Sequence, residues 1–170
     1  YYVGFFGCTG RNSKISNVGI VDSYFCGLNY VGGVCGHHSY GEISNCYSAG
    51  AVSATSNFVG GVCGTNSSGS TISNCYFNSE KCNKDAVGTN ESGTVTNVEG
   101  KTTAQFASGE VCYLLNEGKT DGTQIWYQDL TAETGDQSPI WKATGENTVY
   151  QVTKYSGCEH EPGNSVELYS

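Results

Sequence analysis

The first residues in this chain whose types suggest chemistry are two histidines and a nearby acid. His37 and His38 are adjacent, and Glu42 follows four residues after the second of them. Imidazole and carboxylate groups are ordinary ligands of Zn²⁺. Neighbouring side chains on a strand point to opposite faces, however, and no third ligand has a suitable spacing. We therefore expect these residues to lie in a solvated loop rather than to bind a metal.

A second candidate is a group of acids near the C-terminal end. Asp129, Glu133 and Asp136 surround a loop that contains a glycine, and their oxygens are of the type that Ca²⁺ prefers. They lack the alternating ligand pattern and the closing glutamate of a calcium loop. A surface turn is the favoured interpretation, so the sequence predicts no metal site and no cofactor.

The elements that must position these residues come from an internal repeat of about 28 residues. The phrase Val-Gly-Gly-Val-Cys-Gly occurs at 31–36 and 59–64, and Ile-Ser-Asn-Cys-Tyr occurs at 43–47 and 72–76. An earlier copy begins at Val3, and a degenerate fourth copy begins at Gly88. A period of this length is typical of stacked supersecondary units, none of which can bury its apolar face alone.

Strand signals dominate each copy of the repeat. No window of the repeat has helical periodicity, whereas residues 58–63 form a short apolar stretch and residues 72–76 alternate, with 72, 74 and 76 opposite 73 and 75. Gly and Asn at fixed positions are expected to supply corners with positive φ. The sequence thus predicts an all-β fold, a parallel β-solenoid (β-helix) of three to four coils about 4.8 Å apart.

Stacked coils would place like residues in columns. The expected columns are an amide ladder and three further pairs: Asn17 with Asn45 and Asn74, Cys35 with Cys63, Cys46 with Cys75, and Tyr47 with Tyr76. Because Val18 and Val98 take the place of Cys46 in other copies, free buried thiols are favoured over disulfides for these four cysteines. The state of Cys82 and Cys158, which lie outside the repeat, stays open.

Tyrosines are the candidates for ligand contact. Exposed rings could form a strip for sugars or protein, although Tyr47 and Tyr76 are expected inside the coil. Tyr30 and Tyr40 flank turns. Together with Tyr24 they are the predicted outward contact residues.

Charge and catalytic motifs narrow the function further. The net charge is −8 and Arg11 is the only arginine, so a nucleic-acid partner is excluded. No apolar run of about 18 residues is present, which argues against direct membrane insertion. A polysaccharide lyase needs cations beside a general base, and no Lys or Arg of the repeat shares a column with a cluster of carboxylates. A hydrolase needs two carboxylates that face one groove, whereas Asp22, Glu42 and Glu80 occupy unrelated positions within the repeat. We therefore assign no catalytic residue.

Residues 3 to 98 resemble the GLUG-motif repeats of large bacterial surface proteins. The phrases that carry the resemblance are Val-Gly-Gly-Val-Cys-Gly and the segment from Gly41 to Val52. The resemblance implies a place in adhesin-like proteins of gut bacteria or beside immunoglobulin A-cleaving metallopeptidases, and it brings no catalytic residues. Because the chain starts in mid-pattern at Tyr1, without Met or a signal peptide, we expect it to be a fragment of a larger secreted or surface protein.

The segment after Gly100 resembles the region that commonly follows such repeats, with Ala usual at the place of Cys112. The spacing of Thr102 and Gln105 predicts a helix start, and residues 110–116 predict a second helix. Strands are expected near Trp126, Trp141 and Val149. Because the last coil of a solenoid exposes an open edge, we expect residues 101–170 to be an α+β cap on a solenoid of residues 1–100.

These features predict a non-catalytic repeat module that acts in adhesion, scaffolding or display. Its expected partner is an unidentified extracellular glycan, or a host or bacterial protein. One alternative is a carbohydrate-binding module beside a catalytic domain. The other is a polysaccharide-active β-helix enzyme.

Overall fold

The computed structural model describes residues 1–55, 58–119, 121–130 and 135–141. The chain divides into two units, Tyr1–Thr102 and Thr103–Ser170. In the described residues, the first unit is built from β-strands and the second contains both helices.

Each copy of the repeat forms a set of short strands. The first copy contains β1 (Phe6–Cys8), β2 (Ser13–Ser16), β3 (Gly19–Ile20) and β4 (Tyr24–Gly27). The second contains β5 (Val31–Gly32), β6 (Cys35–His38), β7 (Gly41–Ser44), β8 (Tyr47–Ser48) and β9 (Ala51–Ala54). The third contains β10 (Val59–Gly60), β11 (Cys63–Asn66) and β12 (Thr71–Asn78), and the fourth contains β13 (Val87–Asn90) and β14 (Thr94–Lys101).

Strands of successive copies pair in parallel. One sheet has the order β1-β6-β11-β13, and a second has the order β2-β7-β12-β8-β3 with β14 also paired to β12. The two remaining pairs in this unit are β4 with β9 and β5 with β10. The predicted β class with parallel strands is therefore confirmed. Phe6 lies opposite Cys35, so the register of β1 is one residue off the 28-residue offset.

Apolar columns form the core of the first unit. Ile15, Ile43 and Ile72 lie opposite one another in three successive copies, and the latter two are fully buried. Val31 and Val59 form a second column. Complete burial of one isoleucine contributes about 2 to 3 kcal/mol to folding, so each added copy strengthens the same columns.

The predicted alternation of residues 72–76 is wrong. Ile72 and Cys75 are three positions apart, yet both are fully buried. Asn74 lies between them with a left-handed φ of 49°, and this corner changes the direction in which the following side chains point. Asn17 and Asn45 have a φ of 58° and Asn97 one of 52°. Asparagine suits this position because its short polar side chain tolerates the left-handed region.

The glycines of the Val-Gly-Gly phrase do not form such corners, contrary to the prediction. Among the described glycines, positive φ values occur at other positions, such as Gly69 at 70°. A Cβ on Gly60 would lie 2.7 Å from both Ala86 O and Gly88 N. Glycine is required there because the backbones of successive copies approach too closely for any side chain.

The second unit contains both predicted helices. They are α1 (Thr103–Ala107) and α2 (Glu110–Leu115), and the antiparallel strands β15 (Trp126–Tyr127) and β16 (Ile140–Trp141) follow. Asn116 connects α2 to β15, because its Nδ2 donates to Trp126 O at 2.7 Å and its Oδ1 accepts from Trp126 N at 3.1 Å. The strand expected near Val149 lies outside the described residues.

Candidate ligand-contact surface

An asparagine ladder joins three copies of the repeat at their left-handed corners. Asn45 Nδ2 donates to Asn17 Oδ1 at 2.7 Å, and Asn74 Nδ2 donates to Asn45 Oδ1 at 2.6 Å. Tyr76 also donates its hydroxyl to Asn74 Oδ1 at 2.9 Å. Tyr76 and its strand partner Tyr47 are both buried, so these rings belong to the interior of the unit.

Four cysteines occupy the core. Cys35 lies opposite Cys63, Cys46 and Cys75 are also fully buried, and all four are free thiols. Burial, together with the neighbouring thiol, raises the pKa of Cys63 and of Cys75 well above the ordinary value, so both stay protonated at neutral pH. Cys63 and Cys75 therefore pack in the core as small apolar side chains do. Cys82 is also buried and free, while Cys158 lies outside the described residues.

Three aromatic side chains, Tyr2, Tyr30 and Phe58, form a column at the surface of the first unit. The ring of Tyr30 stacks on Phe58 with centroids 4.7 Å apart and an interplanar angle of 16°. The ring of Tyr2 lies 5.0 Å from Tyr30, and Tyr2 is 46% exposed. Sequence reasoning identified only Tyr30, although the signal was present: each of the three precedes a valine of the repeat, at intervals of 28 residues.

The other two predicted contact tyrosines have different neighbours. Tyr40 is 47% exposed, and the guanidinium carbon of Arg11 lies 4.6 Å from its ring centroid, a cation–π geometry. Tyr24 is exposed on β4, where a hydrogen bond with Cys26 raises the pKa of its phenol. Tyr30 and Tyr40 both have left-handed φ values, 53° and 51°, in agreement with their predicted place at turns.

The histidine pair lies on β6, and the expectation of a solvated loop is wrong. His38 is fully buried, with Nδ1 2.7 Å from Thr9 Oγ1 and Nε2 3.3 Å from Thr71 O. These hydrogen bonds to neighbouring copies offset the free-energy cost of burying the ring. Burial itself lowers the pKa of the imidazole, so the ring stays neutral. His37 is half-buried, and its ring centroid lies 5.1 Å from that of Tyr2, next to the aromatic column.

The acids near the C-terminal end close a turn. Asp129 N donates to Asp136 Oδ2 at 2.9 Å, and Asp136 N donates to Asp129 O at 2.7 Å. Glu133 lies outside the described residues. Within the part of the chain that the structure describes, no group of three or more His, Cys, Asp or Glu side chains could hold a metal ion. In the same part, no helix has the length and apolar character needed to cross a membrane.

Comparison with known proteins relates the second copy to a known repeat motif. No curated protein and no solved structure was found to match the chain. The family model of the GLUG motif matches residues 27–53, which run from the end of β4 into β9 and contain the whole Val-Gly-Gly-Val-Cys-Gly phrase of the second copy. The second copy is therefore similar to the GLUG motif, and the parallel pairing of its neighbours with it supports a GLUG-repeat region here.

Proposed function

We propose that the first unit is a short β-solenoid that acts as a non-catalytic module of a secreted or cell-surface protein, in adhesion, scaffolding or display. The parallel pairing of like residues in successive copies is the observation that carries this proposal, because Val31 lies opposite Val59 and Cys35 opposite Cys63. A stack held by repeated columns offers the same surface positions at a regular interval. The match to the GLUG motif in the second copy supports the same proposal.

The aromatic column is the contact surface in this proposal. Aromatic rings that are only partly covered suit the apolar face of a sugar ring or an apolar protein side chain. The expected ligand is thus an extracellular glycan, or a host or bacterial protein. An acidic chain with a net charge of −8 is a poor partner for nucleic acid.

Glycan-array binding followed by titration tests the contact surface. Tyr30→Asn removes a ring while keeping a residue that tolerates the φ of 53°, and Phe58→Ala removes the ring stacked on it. We expect either change to weaken binding about fivefold, since the loss of one stacked aromatic group is worth about 1 kcal/mol. Leu28→Ala is the control, because Leu28 is an exposed apolar residue that lies outside the column. Full affinity in both column variants would contradict this assignment.

A carbohydrate-binding module beside a catalytic domain is the second candidate, and the aromatic column favours it. Binding of a defined polysaccharide that depends on Tyr30 and Phe58 would support this candidate. Turnover of any polysaccharide by the chain itself would instead support a β-helix enzyme and would contradict both non-catalytic proposals.

A further inference from the structure

A series of hydrogen-bonded side chains leads from an exposed thiol to a carboxylate across the four copies of the repeat. Cys8 Sγ lies 3.7 Å from His37 Nδ1, and His37 Nε2 lies 3.2 Å from Ser67 Oγ. Ser67 Oγ donates to Glu91 Oε2 at 2.9 Å. Each residue belongs to a different copy, and the strand register places Cys8 directly opposite His37.

The hydrogen-bonding capacities of these groups fix the position of the imidazole proton. The Glu91 carboxylate can only accept, so it takes the single proton of the Ser67 hydroxyl. Ser67 Oγ must then accept from His37 Nε2–H, which leaves the lone pair of His37 Nδ1 directed at Cys8. Cys8, His37 and Ser67 are therefore arranged in space as a nucleophile, a base and a group that orients the base.

The surroundings of Cys8 keep its thiol protonated, so a reaction of this thiol requires a base. Desolvation, with a smaller contribution from Cys35, raises the pKa of the Cys8 thiol, so it is protonated at neutral pH. The thiol also lies 3.4 Å from its neighbouring carbonyl, Thr9 O, which competes with His37 for the proton. Since the thiolate is the attacking species, His37 has to remove the proton as the thiol reacts.

We propose that Cys8 is a thiol–disulfide exchange site for small-molecule disulfides, with His37 as its general base and with Ser67 and Glu91 as positioning residues. Cys8 Sγ forms a bond to one sulfur of the disulfide, and the original S–S bond breaks. The thiol proton moves to His37 Nδ1 and then to the leaving thiolate. The products are a mixed disulfide at Cys8 and one free small-molecule thiol, and this proposal does not depend on the proposed function.

The first experiment compares two exposed thiols in the native chain. The probe is bis(2-hydroxyethyl) disulfide, which is uncharged, and peptide mapping by mass spectrometry follows mixed-disulfide formation at each cysteine near pH 7. Cys26 is an internal control because it is exposed and free, with a tyrosine rather than a histidine as its hydrogen-bonding neighbour. We expect Cys8 to react at least about tenfold faster than Cys26, a modest general-base contribution. Equal rates would overturn the proposal.

Variants separate the base from its positioning residues. His37→Thr introduces the residue type that Thr65 already supplies at the opposite position of the next copy, and we expect it to reduce the Cys8 rate to that of Cys26. Glu91→Gln is a surface change that lets the Ser67 hydroxyl reorient, and we expect a slower Cys8 reaction with an altered pH profile. Glu99→Gln, another exposed glutamate of the fourth copy, is the matched control. The ionisable groups that face Cys8 and His37 are Cys35, His38, Tyr2, Tyr30 and, through Ser67, Glu91.

The rates of the His37→Thr and Glu91→Gln variants test the proposal even if the first of them does not fold. An unchanged Cys8 rate in a folded His37→Thr protein would show that the imidazole is not the base. If that variant does not fold, Glu91→Gln decides: an unchanged rate and pH profile would overturn the proposal, and a slower rate with an altered profile would support it.

Discussion

Each asparagine corner meets two structural requirements with one side chain. Asn45 adopts a left-handed φ of 58°, and its amide bonds Asn17 on one side and Asn74 on the other. Glycine would meet the first requirement but not the second, and aspartate could not donate to the next amide in the ladder. The recurrence of asparagine at this position therefore follows from local backbone geometry and from contacts between copies together.

Substitution of Asn45 can separate these two contributions. We expect Asn45→Ala to lower the free energy of unfolding by about 3 kcal/mol, because two hydrogen bonds worth about 1 kcal/mol each are lost and alanine in the left-handed region costs about 1 kcal/mol more. Asn45→Gly removes the same bonds without the backbone cost, so it should lower that free energy by about 2 kcal/mol. Urea denaturation measures both. An Asn45→Gly protein as stable as the native chain would contradict a stabilising ladder.

Cys112 gives the second unit a defined response to alkaline pH. Burial raises the pKa of this thiol from its ordinary value of 9.0 to about 12. Between these values the unfolded chain has lost the proton that the folded chain keeps, so unfolding becomes easier as pH rises, by about 1.4 kcal/mol per pH unit from this residue. Cys112→Ala should remove that part of the slope. Urea midpoints between pH 8 and 11 test this, and identical slopes in the two proteins would show that the thiol does not contribute.

At the scale of the strands, the separation between copies depends on glycine. A Cβ on Gly32 of β5 would lie 2.8 Å from Cys63 Cα in the next copy and would also contact Cys35 O. We expect Gly32→Ala to cost about 3 kcal/mol or to prevent folding, since the strands would have to move apart. At Gly10 a Cβ would meet nothing within 4 Å, so Gly10→Ala should change stability by less than about 0.5 kcal/mol. Equal unfolding free energies for the two variants would rule out the close-approach argument.

The repeated phrases were sufficient to predict the parallel strands and the partners within each column. Identity at a fixed offset is enough to place Cys35 opposite Cys63 and Asn45 opposite Asn74. The orientation of side chains beyond a corner was not predicted, because strand alternation assumes that φ stays negative, and Asn74 reverses it.

Burial of individual polar residues was harder to predict. His38 is buried because Thr9 and Thr71 from neighbouring copies provide its partners, and adjacent histidines in a sequence carry no sign of this. The aromatic column, in contrast, was available from the spacing of Tyr2, Tyr30 and Phe58. These three positions lie just before the repeated phrases and are not identical, since the third is Phe rather than Tyr, so identity between copies does not reveal them.

For the whole molecule, the sequence-based prediction that residues 101–170 form a cap on the solenoid implies that the two units unfold together. Trp126 and Trp141 are the two tryptophans of the chain, and both belong to the second unit, so tryptophan fluorescence monitors that unit alone. If the cap prediction is correct, Asn45→Ala should move the fluorescence transition to lower urea together with the far-ultraviolet circular dichroism transition. A fluorescence transition that stays in place would indicate independent unfolding and would contradict the cap.

The parallel register between copies also has a consequence for the gene. Where one column runs through successive copies, as it does at Ile15, Ile43 and Ile72, recombination that duplicates or deletes one complete copy in frame leaves that column matched. Shorter changes are tolerated between strands: Ile43 and Ile72 are 29 residues apart, whereas Ile72 and its next partner Val95 are 23 apart. The number of repeats can therefore change in evolution by whole copies, while the contacts between neighbouring copies stay the same.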